Sequence, residues 1–129
     1  MSEHAVQMIL LAMLVFQAKH FLCDFVLQSY DRVQKKGIYL HPAGLLHAGE
    51  HAVMSIPALL CLSQAPVPIA ILVLGEFVVH YHADWLKAQL DRFLKLSDRD
   101  LLFWVIYGAD QLIHQITYIG MIYAILLLF

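Results

Sequence analysis

Charged side chains are scarce in this sequence. Only 14% of its 129 residues are Asp, Glu, Lys or Arg, whereas 61% are hydrophobic. A soluble domain carries about 25% charged residues. So few polar side chains could not cover the surface of a small water-soluble globule. The shortage argues against an ordinary soluble domain and predicts that a lipid bilayer is the solvent of this chain.

An excess of positive charge is also lacking, because the net charge is −2. Nucleic-acid binding depends on Lys and Arg that neutralise phosphates, so no nucleic-acid partner is predicted. The two cysteines, Cys23 and Cys61, lie in separate apolar runs and resemble neither a disulfide framework nor a C-x-x-C metal pair. The N-terminal segment has no basic region and no small-residue cleavage site, which predicts a retained membrane helix and not a signal peptide.

Four hydrophobic segments are long enough to cross a bilayer, for which a helix needs about 20 mostly apolar residues. They cover residues 5–28, 43–63, 67–88 and 101–129, and charged or proline-rich connections separate them. Pro57 is expected to kink the second segment. The predicted fold is all-α: one domain, residues 1–129, that forms an antiparallel up-down bundle of four transmembrane helices.

The orientation of this bundle follows from its basic residues, which flank two of the three connections. These residues are Arg32, Lys35, Lys36, Lys87, Arg92, Lys95 and Arg99. Cytoplasmic loops carry an excess of Lys and Arg, so the first and third connections are predicted to face the cytoplasm. Both termini then lie on the non-cytoplasmic side.

Each predicted helix carries ionisable residues four positions apart, a spacing that places them on one helix face. The pairs are His20/Asp24, His47/His51, Glu76/His80 overlapping His80/Asp84, and Asp110/His114. At a rise of 1.5 Å per residue, every pair lies about 5–20 Å from the cytoplasmic end of its helix. The outer half of each segment is almost free of charge, so the antiparallel helices bring the pairs into one layer.

Four buried carboxylates in this layer would not stay ionised without compensating cations. Lys19 could offset one of them, and two divalent metal ions could offset all four. Carboxylates with histidines on facing helices are typical of dimetal centres, and the extra histidines favour zinc, with manganese or iron as alternatives. The candidate ligands are His20, Asp24, His47, His51, Glu76, His80, Asp84, Asp110 and His114, and some of them must support the others from outside. Gln28, Lys36 and Gln111 are also expected to contact the ligands without binding the metal themselves.

Interhelical hydrogen bonding is an alternative role for these polar residues. It would account for single pairs, but Ser, Thr or Asn would provide it at lower cost than four charged pairs. The segment HAGEH, residues 47–51, also matches the H-x-x-E-H motif of a class of zinc proteases. Glu50 lies about 100° around the helix from His51, so it is predicted to be an interfacial residue and not a catalytic base. His82 lies about 200° from His80 and is expected to point away from the site.

The sequence resembles a family of small bacterial and phage integral membrane proteins of unknown function, domain of unknown function 3307. The family pattern has H-x-x-x-D-F-x-x-Q, a following lysine, H-x-x-x-H, H-x-x-x-D and D-Q-x-x-H. These motifs correspond to His20, Asp24, Phe25, Gln28, Lys36, His47, His51, His80, Asp84, Asp110, Gln111 and His114. The resemblance implies a membrane protein, here of the bacterial inner (cytoplasmic) membrane, and implies no established activity. A looser similarity connects the chain with membrane-bound metal-dependent hydrolases.

The sequence supports three classes of function. The first is a metal-dependent hydrolase of a lipid or another small membrane-borne substrate, with Asp24, Glu76 or Asp84 as general base and Lys36 or Lys19 near an anionic group. The second is a redox protein with a non-haem dimetal centre or a haem. The third is a proton or divalent-cation transporter, or a small subunit of a membrane complex; assembly into a homo-oligomer is compatible with all three.

Overall fold

The computed structural model describes residues 2–128, and these residues form helices without any strand. The helices, in chain order, are α1 (Glu3–Phe21), a π-helical turn (Leu22–Val26), α2 (Tyr30–Lys35), α3 (Pro42–Met54), α4 (Ile56–Leu60), α5 (Pro66–Phe93) and α6 (Leu101–Leu127). The all-α prediction is therefore confirmed. The fourth predicted segment ended at residue 129, which lies outside the described residues.

The first segment is helical from Glu3 to Val26, but its last turn is wider than an α-helix. The Ser2 side chain accepts a hydrogen bond from the Ala5 amide and caps the start of α1. The turn Leu22–Val26 then continues directly from α1 as a π-helix. Such turns contain one extra residue and are common at functional sites. This turn carries Asp24.

The second predicted segment is not one continuous helix. It breaks at Ser55 into α3 and the short α4, which has Pro57 in its first turn. A proline has no amide hydrogen and its ring clashes with the carbonyl four residues earlier, so the expected kink forms just before it. The Ser55 hydroxyl donates to the carbonyl of His51 at 3.1 Å, which satisfies an acceptor near the break.

The first connection also differs from a simple loop, because it contains the two-turn helix α2. The Ser29 side chain accepts a hydrogen bond from the Arg32 amide and caps it. The third segment is longer than predicted, since α5 extends to Phe93.

Within residues 2–128, two helical stretches are long and apolar enough to cross a membrane: Glu3–Val26 and Pro66–Phe93. The break at Ser55 leaves α3 and α4 too short individually. In α6 the polar residues Asp110, Gln111 and His114 interrupt the apolar sequence near the middle of the helix.

The helices pack with α5 against both α3 and α6, and with α1 against α4 and α6. Their interior has two parts. Buried apolar residues from α1, α4, α5 and α6 form one cluster, which includes Phe16, Leu59 and Ile122. The other part is polar and consists of Lys19, His20, His47, His51, Ser55, Glu76, His80, Asp84, Asp110 and His114, each at most 6% exposed.

Candidate metal centre

Six ionisable side chains from four parts of the fold converge inside the polar part of the bundle. The π-helical turn contributes Asp24, α3 contributes His47 and His51, α5 contributes His80 and Asp84, and α6 contributes His114. The side chains of all six are at most 8% exposed. The i, i+4 spacing on each helix places these groups on the faces that point inward.

Asp24 lies between the two histidines of α3. Its Oδ1 atom is 3.1 Å from Nε2 of His47 and 3.1 Å from Nε2 of His51. The ring of His51 lies against the ring of His80, with centroids 3.9 Å apart. Ligand atoms of these four residues all lie within 4.8 Å of one another, which makes them the first group that could hold a metal ion.

Asp84 is the centre of a second group. Its Oδ2 atom is 3.6 Å from Nε2 of His80, and its Oδ1 atom is 3.5 Å from Nε2 of His114. His80, Asp84 and His114 again offer ligand atoms within 4.8 Å of one another. The two groups share His80, and Asp84 Oδ2 is also 3.4 Å from Nε2 of His47. The two groups are thus immediate neighbours.

These carboxylate–imidazole contacts are compatible with metal ligation. Of the four candidate histidines, only His51 has its Nε2 atom in hydrogen-bond geometry to a carboxylate, Oδ1 of Asp24. The Nε2 atoms of His47, His80 and His114 are buried and have no hydrogen-bond partner within the described chain. Buried polar atoms in proteins are nearly always paired. Ligand atoms placed tetrahedrally 2.0–2.1 Å from a zinc ion stand about 3.3–3.4 Å apart. The spacings of 3.1–3.6 Å between these nitrogens and carboxylate oxygens fall around that value.

His20 supports Asp24 from outside both groups. Its Nε2 atom donates to Oε1 of Gln111 at 2.7 Å and lies 3.3 Å from Oδ2 of Asp24. Its Nδ1 atom is 2.9 Å from the Tyr118 hydroxyl, which must then be the donor. Both ring nitrogens of His20 are therefore engaged, and Gln111 also approaches Asp24 Oδ2 at 3.5 Å.

Replacement of Tyr118 by phenylalanine should leave the buried Nδ1 atom of His20 without its donor. We expect a loss of about 1–3 kcal/mol in the free energy of unfolding. Zinc affinity should fall by about tenfold, the lower end for loss of an outer partner. Chelator competition measures the affinity, and Tyr123→Phe, an exposed tyrosine on the same helix, is the matched control. Equal effects of the two substitutions would contradict the role assigned to Tyr118.

Asp110 lies beside the second group. Its Oδ1 atom is 3.4 Å from Nε2 of His114, but it is buried without a hydrogen-bond partner in the described chain. The neighbouring Gln111 amide is 3.5 Å from the other carboxylate oxygen. Asp110 is therefore a carboxylate at the edge of the centre with one oxygen uncommitted.

Glu76 has a different environment from the other carboxylates. It forms a buried ion pair with Lys19, which also donates to the carbonyl of His51 at 3.1 Å. The Lys19 ammonium lies 4.3 Å from the centre of the Tyr118 ring, a cation–π contact. Glu76 belongs to neither ligand group in the structure. Lys19 provides the compensating charge that the sequence suggested for one carboxylate.

Lys36 approaches the centre from the segment between α2 and α3. Its ammonium donates to Oδ2 of Asp84 at 3.0 Å, and its side chain is 13% exposed. Burial disfavours the charged form of Lys36, but the negative charge of Asp84 outweighs this and raises the pKa of the lysine. The next residue, Gly37, packs so closely on α5 that a Cβ atom there would stand 2.9 Å from Cβ of Ala88. This close approach holds Lys36 at the rim of the centre.

The remaining predicted residues lie outside both groups. Gln28 donates to the backbone carbonyl of Asp24 at 3.3 Å and so contacts the chain of a candidate ligand. His82 is exposed, and its Nδ1 atom contacts the carbonyl of Val78. Glu50 accepts two hydrogen bonds from Arg32, at 2.8 and 3.0 Å, and is about one third exposed. It sits at the edge of the bundle, away from the two groups.

Replacement of Glu50 by glutamine tests the zinc-protease motif directly. We expect unchanged metal content and a change of at most about 1 kcal/mol in the free energy of unfolding, because both side chains of the ion pair with Arg32 are about one third exposed. Elemental analysis compares the metal content of this variant with that of His51→Gln, which removes a candidate ligand. Loss of metal from Glu50→Gln would return Glu50 to the ligand set.

Sequence patterns do not single out Tyr118. It lies four residues after His114 on α6, at the same spacing as the ionisable pairs, but a tyrosine in an apolar helix is ordinarily a packing residue. Its hydroxyl contact with His20 crosses from α6 to α1 and depends on how these helices are rotated.

The relationship of the chain to known proteins rests on one family. No curated protein and no solved structure matches the chain. A family model described as "Protein of unknown function (DUF3307)" matches residues 8–129. That range covers nearly the entire chain, so the protein belongs to the DUF3307 family, as the motifs indicated.

Proposed function

We propose that this chain is an integral protein of the bacterial cytoplasmic membrane, with four crossing segments and both termini on the non-cytoplasmic side. The distribution of side chains supports this. The interior contains charged and imidazole groups, whereas large apolar side chains such as Leu14, Leu74 and Ile119 are between 59% and 65% exposed. A water-soluble bundle has the opposite arrangement. Reporter fusions at each connection test the topology, and a cytoplasmic signal from either terminus would overturn it.

The proposed biochemical role is metal binding in the polar part of the bundle, by one or two divalent ions. The observation that carries it is the convergence of buried, unpartnered imidazole nitrogens on Asp24 and Asp84 at 3.1–3.6 Å. In this proposal His20 is not a ligand, because both of its ring nitrogens are engaged elsewhere. Glu76 is not a ligand either, because it pairs with Lys19 and lies outside both ligand groups.

The proposed reaction is hydrolysis of a membrane-borne substrate. Bound divalent ions supply Lewis acidity and lower the pKa of water to about 7. Asp24 and Asp84 are surrounded by ligand nitrogens, and Glu76 is held by Lys19. Asp110 lies beside the second group, with its Oδ1 atom 3.4 Å from Nε2 of His114, and this unpartnered oxygen makes it the group that accepts the proton of water. This proposal differs from the sequence-based one, which named Asp24, Glu76 or Asp84 as the base.

Protein purified in nanodiscs tests the proposal in two measurements. Elemental analysis should find zinc at one or two equivalents, and mass spectrometry should detect cleaved products from bacterial lipid extract. Asp110→Asn should retain zinc and lose about 10²–10⁴-fold in turnover, the usual contribution of a general base. Protein without metal after loading would refute the whole proposal, whereas loaded protein without products would refute hydrolysis alone.

A redox centre is the second candidate, and the burial of the ligands favours it. The candidate ligand side chains are at most 8% exposed, and electron transfer needs no opening for a substrate. Iron loading distinguishes the two candidates. A reversible change in the visible spectrum on reduction, together with the absence of hydrolysis products, would favour the redox role.

A further inference from the structure

The charges around the candidate centre do not balance when both ligand groups hold a divalent ion. Asp24, Asp84 and Asp110 contribute three negative charges, and Lys36 contributes one positive charge. The Lys19–Glu76 pair is neutral as a whole. With neutral histidines, the protein groups therefore carry a charge of −2, and two divalent ions would leave an excess of +2.

An uncompensated excess charge is costly at membrane depth. Lys36 increases the cost, because its ammonium donates to the same Oδ2 atom of Asp84 that faces the imidazoles of His47 and His80. A metal ion at Asp84 and the Lys36 ammonium would repel each other across one carboxylate. An anion placed between them would remove both the repulsion and the excess charge.

Lys36 is also positioned to meet such an anion. Its side chain reaches solvent while its ammonium contacts the centre, which makes it a rim residue. The segment that carries it is fastened to α5, since Arg92 and Gln89 both donate to the carbonyl of Gly37, at 3.0 and 2.6 Å. The backbone at Lys36 is therefore held in a fixed place. Its flexible side chain can move from Asp84 to a bound anion.

We propose, on the basis of the metal centre proposed above, that the centre binds a phosphate monoester, with its phosphate between the metal ions and Lys36. A phosphate monoester carries a charge of about −1.5 to −2 at pH 7 and offers three strong acceptor oxygens. That charge matches the excess, which a carboxylate with its single charge does not. Neighbouring divalent ions are the usual arrangement for phosphoryl hydrolysis.

The reaction balances with water as the only co-reactant. The water oxygen forms a bond to phosphorus, and the bond from phosphorus to the ester oxygen breaks. The proton that water loses passes through Asp110 to the leaving oxygen, so an alcohol and inorganic phosphate are released. Lys36 does not exchange a proton; it holds the phosphate by charge and hydrogen bonding.

Inorganic phosphate is the first probe, with calorimetry on zinc-loaded protein in nanodiscs. Wild type should bind phosphate, and protein stripped of zinc should not. Lys36→Met should bind phosphate roughly tenfold to hundredfold more weakly, as expected for loss of a hydrogen bond to a charged group. Lys36→Arg should retain binding. The matched control is Lys35→Met, since Lys35 is exposed and pairs with Asp31, and it should behave as wild type.

The outcomes separate this inference from the proposed function. Absence of zinc in every preparation would refute the metal centre itself. Stoichiometric zinc without phosphate binding, or equal phosphate affinity in Lys36→Met and wild type, would refute the phosphate site and leave the metal centre standing. Zinc content measured in each variant shows that a weaker affinity does not arise from metal loss.

A second experiment tests whether the bound phosphate belongs to a lipid headgroup or to a soluble ester. Dihexanoyl phosphatidic acid, a short lipid phosphate, is compared with glycerol 3-phosphate, a soluble one, by release of inorganic phosphate. Faster release from the lipid would assign a lipid headgroup, and faster release from the soluble ester would assign a free phosphate ester. Release from neither, despite bound zinc, would overturn the proposed substrate class.

Discussion

Replacement of His80 by alanine is expected to remove bound metal almost completely. His80 is the one residue that belongs to both ligand groups, and it is 1% exposed. Each group would lose one of its imidazole ligands. We expect elemental analysis to find less than a tenth of the wild-type metal, because loss of even an outer partner costs 10–100-fold in affinity.

His82→Ala is the matched control, because the same helix carries this histidine two residues later with its side chain exposed. It should leave the metal content unchanged. If both variants kept their metal, or if both lost it, the assignment of His80 as the shared ligand would be wrong. Circular dichroism of the two proteins shows that their helix content is the same.

Replacement of Lys19 by methionine is expected to have the largest effect on stability. The substitution leaves Glu76 buried, at 1% exposure, without its cation. Removing one partner of a buried ion pair usually costs about 3–5 kcal/mol. Reversible unfolding in mixed micelles should show a loss of this size in the free energy of unfolding.

The double variant Lys19→Met/Glu76→Met should recover most of that loss. Apolar residues of similar volume often replace a buried ion pair without net cost. It should also retain metal, since Glu76 lies outside both ligand groups. Losses in the two single variants that simply add in the double variant would contradict the ion pair. Metal loss in the double variant would make Glu76 a ligand, as its spacing from His80 allows.

The helical fold and the composition of the polar cluster could be predicted because each depends on local pattern. Residues four apart share a helix face whatever the rest of the fold does. The sequence predicts that antiparallel packing brings the pairs of the four segments to one level. The structure accordingly gathers His47, His51, His80 and His114 around two aspartates.

Which residues of the cluster are candidate ligands and which support those ligands depends on the rotation of each helix about its axis. This could not be predicted from the sequence. His20 and Asp24 form an i, i+4 pair like the others, but only Asp24 makes polar contacts with the histidines of α3. The π-helical turn contains one more residue per turn than an α-helix, and the spacing of polar residues does not indicate it. His20 turns instead to Tyr118 on α6.

The carboxylate that pairs with Lys19 could not be predicted from the sequence either, and it is Glu76. Its spacing from His80 makes it a candidate ligand, and the sequence offers Lys19 as a counter-ion for any one of four carboxylates. Lys19 on α1 meets Glu76 on α5 at the level of His51, and this contact depends on the three-dimensional arrangement of the helices. The break at Ser55 is easier to predict, because Pro57 must interrupt the backbone hydrogen bonds of its helix.

Anomalous X-ray scattering at the zinc edge, on crystals of the zinc-loaded protein, tests the metal centre most directly. The proposal predicts a peak bounded by Asp24, His47, His51 and His80, and, with two ions bound, a second peak beside Asp84 and His114. The same crystals collected below the edge should lose these peaks. Fully loaded crystals with no anomalous peak among these six residues, or with the metal bound at the surface only, would contradict it.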